Sequence, residues 1–179
     1  MKNAQRLLLC LPLLITLMAC KESAAKYAVG PNADLHGIVF GKKTLSNTDL
    51  TGANLTDSNL NSVNLTGSLL TSADLTRATS NKDTILKRAN LDSAILVNAS
   101  MLATDFTGAS LNGTNLSDAK LAGANFTQAN MRGAVLSGVS LDDAIMASAV
   151  LTSANLEGAN SKQNLNLSDA NLVDAVLKS

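Results

Sequence analysis

The sequence contains few of the residues from which ordinary globular cores are built. Its 179 residues include no tryptophan, one tyrosine, three phenylalanines and two prolines. Aromatic residues make up 2% of the chain, although 46% of it is hydrophobic. Because aromatic side chains supply much of the buried area of a mixed core, this composition is poor material for a conventional globular domain.

Neither positive nor negative charge is in excess. The chain carries 14 basic and 14 acidic side chains, so its formal net charge is +0. From Cys20 onward it has 14 acidic and 12 basic side chains, a net charge of −2. Such a balance favours neither binding to nucleic acid nor an acidic surface that imitates it. Charge therefore identifies no partner.

The first nineteen residues have the pattern of an export signal. Lys2 and Arg6 form a basic start, and residues 7–19 are apolar apart from Thr16. This run is too short to span a bilayer as a helix. We therefore assign residues 1–19 to a signal peptide.

The signal ends in the sequence Leu-Met-Ala-Cys, which resembles the bacterial lipobox, although Met18 is a less usual residue there. The resemblance implies that the Cys20 thiol is lipidated and that residues 20–32 form a lipidated tether in the cell envelope. Lys21, in place of Asp, implies transfer to the outer membrane by the rule of enteric bacteria, so that the protein faces the periplasm. The alternative is a simple secretory signal followed by an incidental cysteine.

A large apolar residue recurs at every fifth position over residues 33–179. A period of five fits neither an α-helix nor a flat strand. Two one-residue slips interrupt the series, and Ser80 and Ser161 are the degenerate centres before them; with these two, the series has 29 repeats. The other centres are Leu35, Phe40, Leu45, Leu50, Leu55, Leu60, Leu65, Leu70, Leu75, Leu86, Leu91, Leu96, Met101, Phe106, Leu111, Leu116, Leu121, Phe126, Met131, Leu136, Leu141, Met146, Leu151, Leu156, Leu167, Leu172 and Leu177.

The residue two before the centre is Ala in 18 of the 29 repeats and Ser, Thr or Val in eight more; only Ile38, Lys43 and Leu165 depart from this. Segments such as 53–57 (Ala-Asn-Leu-Thr-Asp) and 154–158 (Ala-Asn-Leu-Glu-Gly) match the pattern A-[D/N]-L-x-x, so the chain resembles the pentapeptide-repeat family over residues 33–179. The resemblance implies an all-β solenoid, a right-handed quadrilateral β-helix with four repeats per coil. At this repeat number the rod has about seven coils and a length of about 34 Å.

The two slips share a pattern, since each replaces the large centre by Ser and adds one residue. They lie sixteen repeats apart, which is four whole turns, so both bulges should protrude at the same face or corner, about 19 Å apart. We expect this edge to dock a protein partner; the alternative is tolerated drift on a solvated corner. The candidate residues are Asn81, Lys82, Asp83, Lys87 and Arg88 at the first bulge and Lys162 and Gln163 at the second.

The two ends of the repeat series are irregular. Lys43 occupies an inward column, which predicts an imperfect and partly exposed first coil. The last repeat, 175–177, is followed by Lys178 and Ser179, so no capping module is expected there. An uncovered end has unpaired strand edges. We therefore expect that it offers a surface for end-to-end self-association.

The sequence contains no group of residues in a pattern typical of catalysis, cofactor binding or metal binding. The single histidine, His36, follows a repeat centre and is expected in an exposed turn. Asp142 and Asp143 occupy two turn positions, and we expect a solvated corner there instead of a cation site. There is no Gly-rich phosphate loop and no His/Cys cluster. We therefore expect no enzyme and no cofactor.

Two function classes remain open. The first is a non-catalytic, membrane-anchored scaffold or protein-interaction module of the cell envelope. The second is implied by the resemblance, because better-known members of the family are acidic rods that mimic DNA and protect gyrase from quinolones. Those proteins act in the cytoplasm. The export signal and the near-neutral charge disfavour the second class, and with it a nucleic-acid-like role.

Overall fold

The computed structural model describes residues 28–178, which form a solenoid of short extended segments and turns. The predicted signal peptide (1–19), Cys20 and most of the predicted tether (20–32) lie outside the described residues. In a regular repeat the apolar centre points inward and the next two residues form a turn. Positions four repeats apart are bridged in parallel, as Asp34 is with Asn54, so four repeats make one coil.

Each coil has four faces, which we number by the centres of the first coil. Face 1 starts at Leu35, face 2 at Phe40, face 3 at Leu45 and face 4 at Leu50. On face 1, seven successive parallel bridges lead from residue 34 to residue 176. The predicted number of coils is therefore confirmed.

In the part of the chain that the structure describes, regular strand occurs at one place, on face 2. Strand β1 (Thr79–Ser80) pairs in parallel with strand β2 (Ser100–Met101), with Thr79 opposite Ser100. The other contacts between coils are isolated parallel bridges, one per face and coil. The described part of the chain has no helix with the length and apolar character needed to span a bilayer.

The core is a set of stacked columns of inward side chains. All centres from residue 50 to residue 156 are buried, and so is every small residue two before a centre from 53 to 154. On face 3 the rings of Phe106 and Phe126 stack with centroids 4.7 Å apart. Burying one Leu contributes about 1.5–3 kcal/mol, whereas fixing five backbone residues costs roughly 5–10 kcal/mol. A repeat is therefore stable only when its neighbours cover it.

Most corners are type II turns, in which the second turn residue has a positive φ. In the turn after Leu50, the amide of Ala53 donates to the Leu50 carbonyl at 3.0 Å, and Gly52 has φ 66°. Among residues 28–178, eighteen non-glycine residues adopt the same left-handed conformation, and most of them are Asn, Asp or Ser. Asn and Asp tolerate this region better than other side chains.

The outward residue before many centres is Asn or Asp because it closes the next turn. The Oδ1 atom of Asn54 accepts hydrogen bonds from the amide of Thr56 at 3.1 Å and from its hydroxyl at 2.7 Å. Asn125 and Thr127 repeat this arrangement. Such Asx turns hold the corner without help from solvent. In the A-[D/N]-L pattern, Ala and Leu therefore form the core, while Asn or Asp closes the turn and lies at the bridge to the next coil.

Candidate protein-interaction surface

The first insertion lies in the turn between face 2 and face 3. On face 2, Asn59 is bridged to Thr79, the position four repeats later. On face 3, Asn64 is bridged to Ile85 and not to Thr84, so the chain gains its extra residue between these two bridges. The extra residue is therefore accommodated within residues 80–84.

The second insertion lies in the same corner, four coils further on. On face 2, Ser140 is bridged to Asn160, again the position four repeats later. On face 3, Ile145 is bridged to Asn166 and not to Leu165. The prediction that both bulges protrude on one side is confirmed. We call the turns between faces 2 and 3 the bulged corner.

The first bulge is a closed turn and not a loose insertion. The amide of Thr84 donates to the Asn81 carbonyl at 2.9 Å. The Asn81 Oδ1 atom accepts from the amides of Ser62 at 2.9 Å and Asp83 at 3.2 Å. Asn81 thus ties the bulge to the coil before it, while the side chains of Lys82 and Asp83 are exposed.

Buried hydroxyl groups support the first bulge from inside. The Thr84 hydroxyl donates to the Leu60 carbonyl at 2.9 Å and accepts from the amides of Ser62 and Asn81. The hydroxyl of Ser80, the degenerate centre, is hydrogen-bonded to the Thr104 hydroxyl. A polar group buried without a partner would destabilise the fold. The hydroxyl pairs remove that penalty where the large centre is missing.

The second bulge is held by the two acidic residues of the coil before it. The amide of Lys162 donates to the Asp142 carboxylate at 2.5 Å, and the Asn164 side chain donates to the Asp143 carboxylate at 2.9 Å. Lys162 and Gln163 are exposed. Within residues 28–178 no group of three His, Cys, Asp or Glu side chains is arranged to hold a metal ion. The acidic pair fastens the bulge.

Lys87 and Arg88 do not belong to the first bulge, so their placement there is wrong. They occupy the next turn, between faces 3 and 4, where the amide of Ala89 donates to the Leu86 carbonyl at 3.1 Å. The Lys87 ammonium lies 3.1 Å from the Asp105 carboxylate. Face 3 separates these two residues from the bulged corner.

The bulged corner contains a feature that the sequence interpretation missed. Between the bulges there are three turns, formed by Leu102 with Ala103, Ala122 with Gly123, and Asp142 with Asp143. The Leu102 side chain is 42% exposed. The first two of these turns are small or apolar, and the third is the acidic pair that fastens the second bulge. The signal in the sequence was Leu102 itself, an apolar residue at a turn position where most repeats have a polar one.

His36 lies in an exposed turn, as predicted. Its Nδ1 atom is 2.7 Å from the Thr56 hydroxyl and 3.8 Å from the Asp57 carboxylate. Hydrogen bonds from the Arg77 guanidinium hold the pKa of the Asp57 carboxyl below its usual range. These residues stack along the turns between faces 1 and 2, away from the bulged corner.

The first coil is less regular than those after it, as Lys43 predicted. Lys43 is exposed although it occupies a column of small inward residues, and Leu45 is half-buried. The inward residues of face 3 are fully buried from Val63 in the second coil to Met146, and they are half-buried again at Leu165 and Leu167.

Comparison with solved structures finds other proteins built from the same repeat. HetL, a pentapeptide repeat protein involved in heterocyst differentiation regulation from the cyanobacterium Nostoc sp. strain PCC 7120, is 23% identical, with 92% of this chain and 97% of that one covered and a TM-score of 0.35. A pentapeptide repeat protein from the Arabidopsis thaliana thylakoid lumen is 25% identical, with coverages of 82% and 66% and a TM-score of 0.35.

QnrB1, a plasmid-mediated fluoroquinolone resistance protein, is 16% identical, with 77% of this chain and 88% of that one covered and a TM-score of 0.38. Likeness at these scores does not bear on what this chain binds. None of the curated proteins compared with the chain matches it significantly.

The family model named Pentapeptide repeats matches the sequence in eight copies. The matched segments are residues 32–67, 48–79, 84–121, 111–147 and 129–160. They extend over most of the solenoid and are interrupted at the first bulge. The chain therefore belongs to the pentapeptide-repeat family, and its fold is the right-handed quadrilateral β-helix of that family.

Proposed function

We propose that this protein is a non-catalytic scaffold of the cell envelope, anchored to a membrane by a lipid on Cys20, that binds a protein partner through the bulged corner. The observation that carries the proposal is the position of the insertions. Both interruptions of an otherwise regular repeat lie at one corner, and their charged side chains point outward.

Rigidity of the bulged corner supports this role. Backbone and side-chain hydrogen bonds fix both bulges to the coils before them, so binding would require little ordering of the protein. The exposed Leu102 side chain between the bulges provides an apolar contact, and Lys82 and Lys162 provide charged contacts at its edges. An apolar centre with a polar rim is the usual anatomy of a protein interface.

The anchor is supported by the sequence around Cys20 and by the short distance to the solenoid. Eight residues lead from Cys20 to Ala28, the first described residue. Fully extended, such a segment spans at most about 29 Å. A lipid on Cys20 would hold the first coil within this distance of the membrane surface.

Cell fractionation tests the anchor. The wild-type protein should be found in the membrane fraction and resist salt extraction, whereas Cys20→Ser should lose lipid labelling and membrane retention. Retention of Cys20→Ser at the wild-type level would overturn the lipid anchor.

Crosslinking in intact cells tests the partner surface. The double variant Lys82→Ala/Lys162→Ala should lower the yield of the crosslinked partner severalfold, because exposed charges at an interface rim act on encounter and retention. The matched control, Arg88→Ala/Arg132→Ala, removes two cations from other corners and should leave the yield unchanged. Equal yields from both variants would contradict the assignment to the bulged corner.

The alternative role, a DNA-like rod that acts on gyrase, is tested by a supercoiling assay. We expect the unlipidated full chain to leave supercoiling and its inhibition by quinolones unchanged, since residues from Cys20 onward have a net charge of −2. Protection of gyrase at stoichiometric concentrations would replace the scaffold role.

We also propose that the coil at the C-terminal end of the described region takes part in end-to-end self-association. Val173 and Leu177 are 60% and 64% exposed there. A cavity of about 170 Å³ opens at this end, lined by Leu177 together with Leu141, Leu156 and Leu167. Sedimentation at several concentrations should show a concentration-dependent dimer, and Leu177→Lys should abolish it. A monomer at all concentrations would contradict this part of the proposal.

A further inference from the structure

A polar depression of about 380 Å³ lies on the bulged corner, at the end nearest the tether. One wall is the turn of the first coil and the other wall is the first bulge. The floor belongs to the second coil between them. The residues that line it are Lys42, Lys43, Thr44, Ser62, Asn64 and Asp83.

The wall formed by the first coil departs from the regular repeat. Lys43 stands where most repeats have Ala, and its side chain is exposed. Its amide donates to the Gly41 carbonyl at 2.8 Å, two residues back, in place of the usual bond to the centre. The corner is thereby opened, and two adjacent lysines project from it. Departures from local rules of this kind are typical of functional sites.

The floor offers hydrogen-bond donors. The Asn64 Oδ1 atom already accepts from the amide of Thr66 at 3.0 Å and from its hydroxyl at 2.6 Å, so the Nδ2 group of Asn64 is left to donate. The Ser62 hydroxyl oxygen accepts from Asn81 Nδ2 at 3.4 Å, which leaves its proton for a ligand. A hydroxyl and an amide donor beside two ammonium groups match an anion with several oxygens.

Opposite charges face each other across the depression. Lys42 and Lys43 lie on the first coil and Asp83 on the third, about 10 Å apart by coil spacing. Among residues 28–178, the ion pairs are His36 and Arg77 with Asp57, and Lys87 with Asp105, so none of these three side chains is neutralised by a protein partner. Asp83 would repel a simple anion, whereas a ligand that also carries an amine would be attracted at both ends.

We propose that this depression binds a phosphate ester that bears an amine, the chemistry of phosphoethanolamine. The phosphate oxygens accept hydrogen bonds from Lys42, Lys43, Ser62 and Asn64, and the amine donates to the Asp83 carboxylate. Phosphate fits better than carboxylate because it presents more acceptor oxygens to this number of donors. The first bulge then has a defined role as the acidic wall of a ligand site. This inference goes beyond the proposed scaffold role and does not depend on the lipid anchor.

NMR titration of the full chain carrying Cys20→Ser tests the site with O-phosphoethanolamine as the probe. Saturable shifts are expected at the amides of Thr44, Ser62 and Asp83. Lys42→Ala/Lys43→Ala should weaken binding roughly tenfold, since each exposed charge pair contributes up to about a fivefold change. Lys120→Ala/Lys162→Ala is the control and should bind like the parent chain. Shifts that do not saturate, or that affect every lysine equally, would overturn the site.

Asp83→Asn separates the proposed ligand from a simple anion. The substitution should weaken binding of O-phosphoethanolamine and strengthen binding of inorganic phosphate, each by a few-fold, because it removes the partner of the amine and the repulsion of the anion. If the substitution strengthens binding of both ligands, the proposed contact between the amine and Asp83 is wrong. If the dipeptide Gly-Gly binds more tightly than O-phosphoethanolamine, the assignment to phosphate is wrong.

Vesicles distinguish the two sources of this ligand chemistry. Phosphatidylethanolamine vesicles should retain the Cys20→Ser chain more than phosphatidylcholine vesicles do if the source is a lipid headgroup, and Lys42→Ala/Lys43→Ala should remove the difference. If both vesicles behave alike while O-phosphoethanolamine still binds, the source is a soluble phosphate ester. Either result supports the site. If the wild-type protein crosslinks to no partner in cells but the Cys20→Ser chain still binds O-phosphoethanolamine, the scaffold proposal fails and the ligand site stands.

Discussion

The Asp57 carboxylate accepts two hydrogen bonds from the guanidinium of Arg77, one coil further along the solenoid. The Nε–Oδ1 distance is 2.7 Å and the Nη2–Oδ2 distance is 2.6 Å. This two-point geometry fixes the relative position of both side chains and links two coils across the turns between faces 1 and 2. It also makes part of the stability dependent on pH.

Acid should weaken the fold through such carboxylates. Hydrogen bonds from Arg77 keep the pKa of Asp57 below its ordinary value of 3.8. Burial alone would raise the pKa of Asp105, but hydrogen bonds from Thr107 and Lys87 outweigh it and lower that pKa as well. A carboxyl whose pKa is lower in the folded state stabilises the fold above its unfolded pKa, and this contribution is lost as the pH falls through the folded value.

The measurement is the thermal midpoint between pH 5 and pH 2, together with NMR titration of the Asp57 carboxyl. Asp57→Asn should reduce the acid-induced drop in the midpoint, and Arg77→Ala should raise the pKa of Asp57 towards 3.8. An unchanged Asp57 pKa in Arg77→Ala would show that the ion pair does not form in solution.

The inward columns should tolerate change poorly. Leu116 is fully buried in the middle of the stack. Leu116→Ala should lower the free energy of unfolding by about 2–5 kcal/mol, and Leu116→Asp should prevent folding because it buries an unpaired charge. Urea denaturation followed by circular dichroism measures both. Lys120→Asp, an outward change one repeat later, is the control; an unaltered transition in Leu116→Asp would refute the inward assignment.

Two buried threonines test whether the first bulge is held from inside. Thr84 bonds to the Leu60 carbonyl and also to two amides at the bulge, whereas Thr114 makes the corresponding bond to the Leu91 carbonyl at a regular coil. Thr84→Val should cost about 1–3 kcal/mol and more than Thr114→Val, and amide exchange should rise at residues 81–84. Equal losses of stability in the two variants and unchanged amide exchange at residues 81–84 would mean that the Thr84 hydroxyl does not stabilise the bulge.

Sequence reasoning worked where the determinant was local or periodic. The centre at Leu116 and the small residue two positions before it follow from the period of five, and the common corner of the two bulges follows from the four repeats per coil that the family resemblance implies. The pattern repeats 29 times in the chain, so single departures from it do not obscure the phase.

Sequence reasoning failed where the position of a residue depended on the register between coils. Lys87 and Arg88 follow the first bulge closely in sequence, yet a face of the solenoid separates them from it. The bond from the Lys162 amide to Asp142 joins two successive coils, and it is recognised only when the second insertion is placed in its corner. The depression between Lys43 and Asp83 spans three coils, so no local motif encodes it.

Photo-crosslinking from single positions in intact cells tests the central claim, a membrane-anchored rod that binds a partner at the bulged corner. A photoreactive residue replaces Leu102 on the bulged corner or, as the matched control, Arg132 at the diagonally opposite corner; both are exposed first turn residues. The account predicts one discrete adduct from position 102 that disappears in Cys20→Ser cells, and none from position 132. The same adducts from both positions, or none from position 102, would contradict it.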